Sequence, residues 1–281
     1  MPKMAAFDRI GPAVPDSPVV LSVPHAGRDY PVEIAALLRA PASALVALED
    51  RHVDAVALAA CGKQTMLVQR RARAWIDLNR DERERDPRVD EGAMRRGMGE
   101  SAKVRSGLGL VPRRTGATGD LWRRRLTAAE VERRIALDHR PYHAALAQAL
   151  AAARARFGVA VLLDVHSMPS LGAGEAQVVL GDRFGRSAAA RFLARAEGVA
   201  RGLGLAVAVN SPYAGGHILD RHGAPAVGVH ALQLEIDRSR YLDAGGQPAG
   251  TGFTATVELV REAIAALADE ALSSPMAIAA E

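Results

Sequence analysis

The sequence predicts a three-layer α/β/α fold on a mixed, mainly parallel central sheet. Three observations lead there. Short apolar runs rich in Val, Leu and Ile alternate along the chain with longer segments of helical periodicity, the pattern of an α/β protein. One run, Val159 to Asp164, is apolar almost throughout, as expected of a central strand covered on both faces. The chain has 281 residues, 49% of them hydrophobic, and no Pro/Ser/Gly linker divides it, so a single domain over 1–281 is expected.

The elements follow in order. Val19 to Val23 is a buried strand feeding the loop Pro24-His25-Ala26-Gly27. Leu45 to Ala60 has helical composition, with Gly62 as its stop. Thr65 to Gln69 and Ala74 to Leu78 are expected strands. Asp81 to Gly119 is charged and Gly-rich with little periodicity, an irregular excursion. Thr127 and Glu130 have the spacing of a capping box, opening a helix that continues through Ala153. Further strands are expected at Gln177–Leu180, Leu205–Val209 and Ala231–Ile236, with helices over Ser187–Arg201 and about Thr254–Leu272. No internal repeat is evident.

Composition narrows the function classes. Arginines cluster between Arg80 and Arg96 and between Arg113 and Arg134, yet the formal net charge is only +4. Aromatic residues are 4% of the chain and only Trp122 sits among the arginines, unlike the interleaving that nucleic-acid binding favours. A solvated arginine-rich surface is the expectation. The single cysteine, Cys61, rules out an intramolecular disulfide and suits a reducing compartment. The first residues lack a signal-like apolar run, and no run of ~18 apolar residues could span a bilayer. The sequence therefore points to a cytoplasmic protein.

In open α/β sheets ligands gather beyond the carboxyl ends of the strands. Two apolar runs end alike, one leading into Pro24-His25 and the other into Asp164-Val165-His166-Ser167. Paired strand-exit histidines could aim two imidazoles at one metal, although a lone histidine there is more often structural. A catalytic zinc usually takes three protein ligands. Glu49-Asp50-Arg51-His52-Val53-Asp54 offers candidates for the third, while Asp50 reads equally as the N-cap of a helix starting at Arg51. On such a helix Asp54 shares the face of Asp50, and His52 points away into packing. Asp164 would project beside His166 and orient it without touching the metal. Ser167 lacks the Gly-x-Ser-x-Gly elbow of a serine nucleophile. Asn79 and Arg80 offer an amide and a guanidinium suited to a carboxylate, or simply begin the charged run. Tyr213-Ala214-Gly215-Gly216-His217 allows close backbone approach to a ligand, or is a plain turn. Glu235, at the end of an apolar run, is a candidate general base or only the strand's exit.

Together these stretches resemble the N-formylglutamate amidohydrolase family. The matching blocks are Ser22–Gly27, Asp50–Asp54, Asp77–Arg80, Asp164–Pro169, Pro212–His217 and Ala231–Asp243, the last including Arg240-Tyr241-Leu242-Asp243. The family is similar in fold to zinc carboxypeptidases and aspartoacylases, whose site uses a His-x-x-Glu pair, a later His and a catalytic Glu. The resemblance implies one Zn2+ held by His25 and His166, Glu235 as general base, and Asn79-Arg80 as a clamp for the substrate carboxylate. It also brings Tyr213, Gly215, Gly216 and Arg240 to the substrate. Three residues past His25 stands Arg28, not Glu, so the third ligand moves to Asp50, with Asp54 or Glu49 as alternatives and Asp54 otherwise a supporting carboxylate. The implied reaction is hydrolysis of N-formyl-L-glutamate, as in histidine breakdown, or of another small N-acyl amino acid. From other classes, a non-catalytic binding protein or an arginine-rich nucleic-acid binder stand as alternatives.

Overall fold

The computed structural model describes residues 6–93, 101–116 and 118–273. Its strands are β1 (Phe7–Ile10), β2 (Val19–Val23), β3 (Thr65–Gln69), β4 (Arg114–Thr115), β5 (Gly119–Asp120), β6 (Ala160–Met168), β7 (Val178–Gly181), β8 (Val207–Val209) and β9 (Val229–Asp237). The α-helices are α1 (Val32–Leu37), α2 (Val53–Ala60), α3 (Ala102–Arg105), α4 (Ala128–Arg134), α5 (Arg140–Phe157), α6 (Ala190–Gly202), α7 (His217–His222) and α8 (Gly250–Ser273). Seven strands form one sheet in the order β1-β3-β2-β6-β9-β7-β8, and β4 and β5 form a separate ribbon. Parallel pairing joins β2 to β6, β6 to β9 and β7 to β8, while β7 runs antiparallel to β9. The predicted α/β class and mixed, mainly parallel sheet are borne out. No helix among the described residues is long and apolar enough to cross a membrane.

The chain divides into two compact units, Met1–Asp8 with Pro24–Arg51 and Val68–Ala145, and Arg9–Val23 with His52–Leu67 and Leu146–Glu281. In the second, β2 and β6 are buried along their whole length, as their mainly apolar runs favour. Helix α8 buries Val257, Val260, Ile264 and Leu267, one stripe at 3–4 residue spacing, and packs against α2 and α6. The apolar runs carry a polar row at one register. Ser22 of β2 lies beside Asp164 of β6, which lies beside Gln233 of β9.

The first unit is organised by a helical rod in which α4 passes through a π segment, Ile135–His139, into α5. The capping box at Thr127 and Glu130 is present with both of its bonds. Ala74 to Leu78, expected as a strand, is instead a run of turns, fully buried from Ala74 to Leu78. Side chains of the rod occupy its backbone carbonyls, so no ladder forms there. Arg134 Nη1 donates to the Trp75 carbonyl at 2.9 Å, His143 Nε2 to that of Leu78 at 2.9 Å and His139 Nε2 to that of Arg80 at 2.8 Å. Asp138 accepts from Trp75 Nε1 at 2.8 Å and from Arg71 Nε at 3.0 Å. The extra residue per turn of a π segment lets neighbours Asp138 and His139 both face the same loop.

The expected helix over Leu45–Ala60 is also broken, into a 3-10 segment at Ala42–Leu48 and α2. His52, with φ of 58° in the left-handed region, stands at the N-cap of α2, so Asp50 is not a cap and His52 is not on a helix face. The interruption has partners of its own. The Asp50 amide donates to the His25 carbonyl at 3.0 Å, and Glu49 accepts from Tyr30 at 2.5 Å and Arg51 at 2.9 Å.

In the excursion, residues 94–100 and 117 lie outside the described residues. Elsewhere, against the expectation of an irregular excursion, it holds the short helix α3 and the strand β4, and it is tightly ion-paired. Arg88 and Arg113 both engage the buried Asp86, at 2.9 and 3.0 Å, and Arg85 engages the buried Asp90.

Candidate active site

The first unit holds His25 between two carboxylates. Its Nε2–H donates to Asp77 Oδ1 at 2.7 Å, and its Nδ1 stands 3.7 Å from Asp50 Oδ2. All three residues are buried. Asp77 also accepts from the Asn79 amide at 2.8 Å and, through Oδ2, from Arg73 Nε at 2.8 Å. Burial would raise the Asp77 carboxyl, but the charge of Arg73, then His25 and Arg80, outweighs it and holds the acid well below the usual range. Asp77 is thus an anion that accepts the Nε2–H of His25 and fixes its ring.

Arg80 is buried, donating Nε to the Leu108 carbonyl at 2.8 Å and Nη1 to that of Asn79 at 2.6 Å. Burial, ahead of the compensating charge of Asp77, lowers its pKa from the usual arginine value. Because Ala74–Leu78 is not a strand, Asn79 and Arg80 leave a clamped loop rather than a strand end.

In the second unit His166 lies inside β6, two residues before its end, where its Nε2–H donates to Asp164 Oδ2 at 2.9 Å. Asp164 Oδ1 accepts from Ser22 Oγ at 2.7 Å. The parallel register sets His166 beside Glu235 of β9. Glu235 is buried and accepts from Gln233 Nε2 at 3.0 Å. With side chains alternating along each strand, Ser22, Asp164, His166, Gln233 and Glu235 share one face of the sheet.

Among the described residues, His25 lies beside Asp50 and His139 beside His143 in the first unit, while His166 and His217 belong to the second. Of the alternatives for the third ligand, Glu49 is committed to Tyr30 and Arg51. Asp54 lies in the first turn of α2. The loop Tyr213–Gly216 packs against the end of β7, just beyond which the Arg183 amide donates to the Ala214 carbonyl at 2.8 Å, and Gly215 has φ of 102°. A Cβ on Gly181 would come within 2.6 Å of Ala214, so this glycine is what lets the loop lie there. Arg240, half-buried beyond β9, has its Nε buried with no hydrogen-bond partner among the described residues.

Sequence reasoning missed Asp77, Arg73, Ser22 and Gln233. Three of them carried a signal, since Ser22, Asp77 and Gln233 are polar positions inside apolar runs. Arg73 carried none.

The fold is of the α/β class, and its polar constellations pair imidazoles with buried carboxylates. The chain belongs to the N-formylglutamate amidohydrolase family, whose sequence model, described as N-formylglutamate amidohydrolase, matches residues 17–242. It is 31% identical to an N-formylglutamate deformylase of Pseudomonas putida over 80% of this chain and 82% of that protein. It is 38% identical to an N-formylglutamate deformylase of Pseudomonas aeruginosa, over 37% of this chain and 41% of that relative's length. The crystal structure of N-formylglutamate amidohydrolase from Ralstonia eutropha JMP134 superposes with a TM-score of 0.83 at 33% identity, covering 95% of this chain and 98% of that one.

Proposed function

We propose that this chain hydrolyses the amide bond of N-formyl-L-glutamate to formate and L-glutamate, with one zinc ion held by His25, Asp50 and His166 and with Glu235 as the general base. The observation that carries the reading is the pairing of each histidine with its own buried carboxylate, Asp77 for His25 and Asp164 for His166. Metal-binding histidines characteristically donate their other ring N–H to a carboxylate, which orients the ring and raises its basicity. Two imidazoles and one carboxylate are a donor set that suits zinc. The relatives' names support the substrate.

Bound zinc supplies a Lewis acid and lowers the pKa of water. Glu235 takes a proton from the attacking water as its oxygen bonds to the formyl carbon, then returns the proton to the amine nitrogen as the C–N bond breaks. Gln233 and the β6–β9 register hold Glu235 in place for both transfers. Asn79 and Arg80 grip a substrate carboxylate, Arg240 offers a second guanidinium, and Tyr213, Gly215 and Gly216 contact the substrate. Asp54 supports the metal-binding segment without touching the metal. The chain acts as a single-domain enzyme, in the cytoplasm, at the formylglutamate step of histidine breakdown. Another N-acyl amino acid handled by the same residues is the second reading. Elemental analysis tests the metal, with one zinc per chain expected and none retained by the His25→Ala, His166→Ala double variant. Unchanged zinc in that variant overturns the site. Formate release from a panel of N-acyl amino acids tests the substrate.

A further inference from the structure

A cleft of about 520 Å³ opens in the first unit, lined by Leu48, Arg73, Ser106, Leu108, Arg114 and Thr115 together with Ala47 and glycines. Among the described residues, its ionisable lining groups are two arginines, with no carboxylate in the lining. It adjoins the proposed catalytic groups at two points. Arg73 is bonded to Asp77, the partner of His25. The carbonyl of Leu108 takes the Nε–H of Arg80.

Arg114 differs from its neighbours. Arg85, Arg88, Arg113 and Arg124 are each paired with carboxylates. Arg114 has no carboxylate partner among the described residues, and its Nε donates to the Ser106 carbonyl at 2.9 Å. Its stem lies across Gly107, which has φ of 83° and where a Cβ would come within 2.7 Å of Arg114 Cγ. The glycine and the Ser106 carbonyl thus hold a long side chain in one place while leaving its charge unspent. An oriented, unpaired guanidinium in a concave cationic cleft is a carboxylate site. At roughly 30 Å³ per water, the space accommodates several heavy atoms as well as the anion.

We infer that this cleft binds the distal, side-chain carboxylate of a dicarboxylic amino acid, with Arg114 as the residue that makes the enzyme select an acidic side chain. The inference rests on the hydrolase reading above for the kind of ligand, but not for its test. Calorimetry with the zinc-loaded protein compares L-glutamate with its neutral isostere L-glutamine. The wild type should bind glutamate roughly tenfold or more tightly, the usual worth of one charge-assisted contact. Arg114→Met, which keeps the stem over Gly107, should bring that ratio towards one, and Arg114→Lys should restore part of it. Ala47→Glu, adding a carboxylate at an exposed position of the same wall, should lower the ratio independently. A wild type with no preference, or variants that all retain it, overturns the inference. If the preference is found but formate is never released from N-formylglutamate, the hydrolase reading falls and the cleft assignment stands. If formate is released and Arg114→Met leaves the ratio unchanged, the reverse holds.

Discussion

Asp77 Oδ1 lies 2.7 Å from His25 Nε2, joining a turn of an irregular loop to a histidine 52 residues earlier. The contact decides that Nε2 of His25 carries the donated proton. Asp77→Asn should keep the shape but turn an amide N–H towards Nε2, favouring the tautomer with Nδ1 protonated. Zinc affinity should fall roughly 10- to 100-fold, the usual cost of losing such a partner. Competition against a chromophoric chelator measures it. Unchanged affinity would mean that His25 is not a ligand, or binds through Nε2.

Glu235→Gln leaves an amide oxygen to accept from Gln233 Nε2 and should retain both metal and fold. Turnover should drop by roughly two to four orders of magnitude, as expected when a general base is removed. Should the folded variant lose its zinc instead, Glu235 is a ligand and Asp50 is not required.

Arg80→Lys should not be conservative. A lysine cannot serve the Leu108 and Asn79 carbonyls and a carboxylate together, since it offers a point charge in place of a planar fork. We expect kcat/KM for N-formylglutamate to fall roughly 10- to 150-fold, corresponding to ~1.5–3 kcal/mol for a charge-assisted bond. An α-amide analogue should be a poor substrate and nearly indifferent to the change. Equal losses on both compounds would assign Arg80 to holding the loop and leave the clamp to Arg240.

His230 gives the fold a pH dependence. Its ring packs on Phe192 with centroids 4.4 Å apart, and its Nδ1 accepts from the Ala189 amide at 3.2 Å. Burial, then the charge of Arg191, pulls its pKa from 6.5 down to about 4. The unfolded chain therefore binds the proton first, so this residue's contribution is complete above pH 6.5 and lost as pH falls towards 4. Urea unfolding at pH 7 and pH 5 should show wild type losing on the order of 1–2 kcal/mol more than His230→Leu. Parallel losses in the two proteins would assign the acid sensitivity to other groups.

Local pattern alone marked most of the sheet. Val19–Val23 and Thr65–Gln69 are strands with the expected ends, and the capping box at Thr127 is where its spacing placed it. These features rest on burial and on bonds between near neighbours in the chain, which periodicity reports directly. His25 and His166 were legible for the same reason, each following an apolar run.

Only the tertiary structure showed that Ala74–Leu78 is no strand. Hydrophobicity reports that a segment is buried, not whether its carbonyls meet a neighbouring strand or side chains such as His139 and His143. The partners of the site were hidden by distance along the chain. Ser22 and Asp164 are 142 residues apart, and no local rule links them. Asp50 could not be told from a helix cap until the path of the chain placed its amide on the His25 carbonyl and left Glu49 to Tyr30 and Arg51. The sequence by itself determined the alternation of strand and helix and the residue types at the strand ends. Which carboxylate meets which imidazole was decided in three dimensions, because such a bond depends on the whole course of the backbone between its ends.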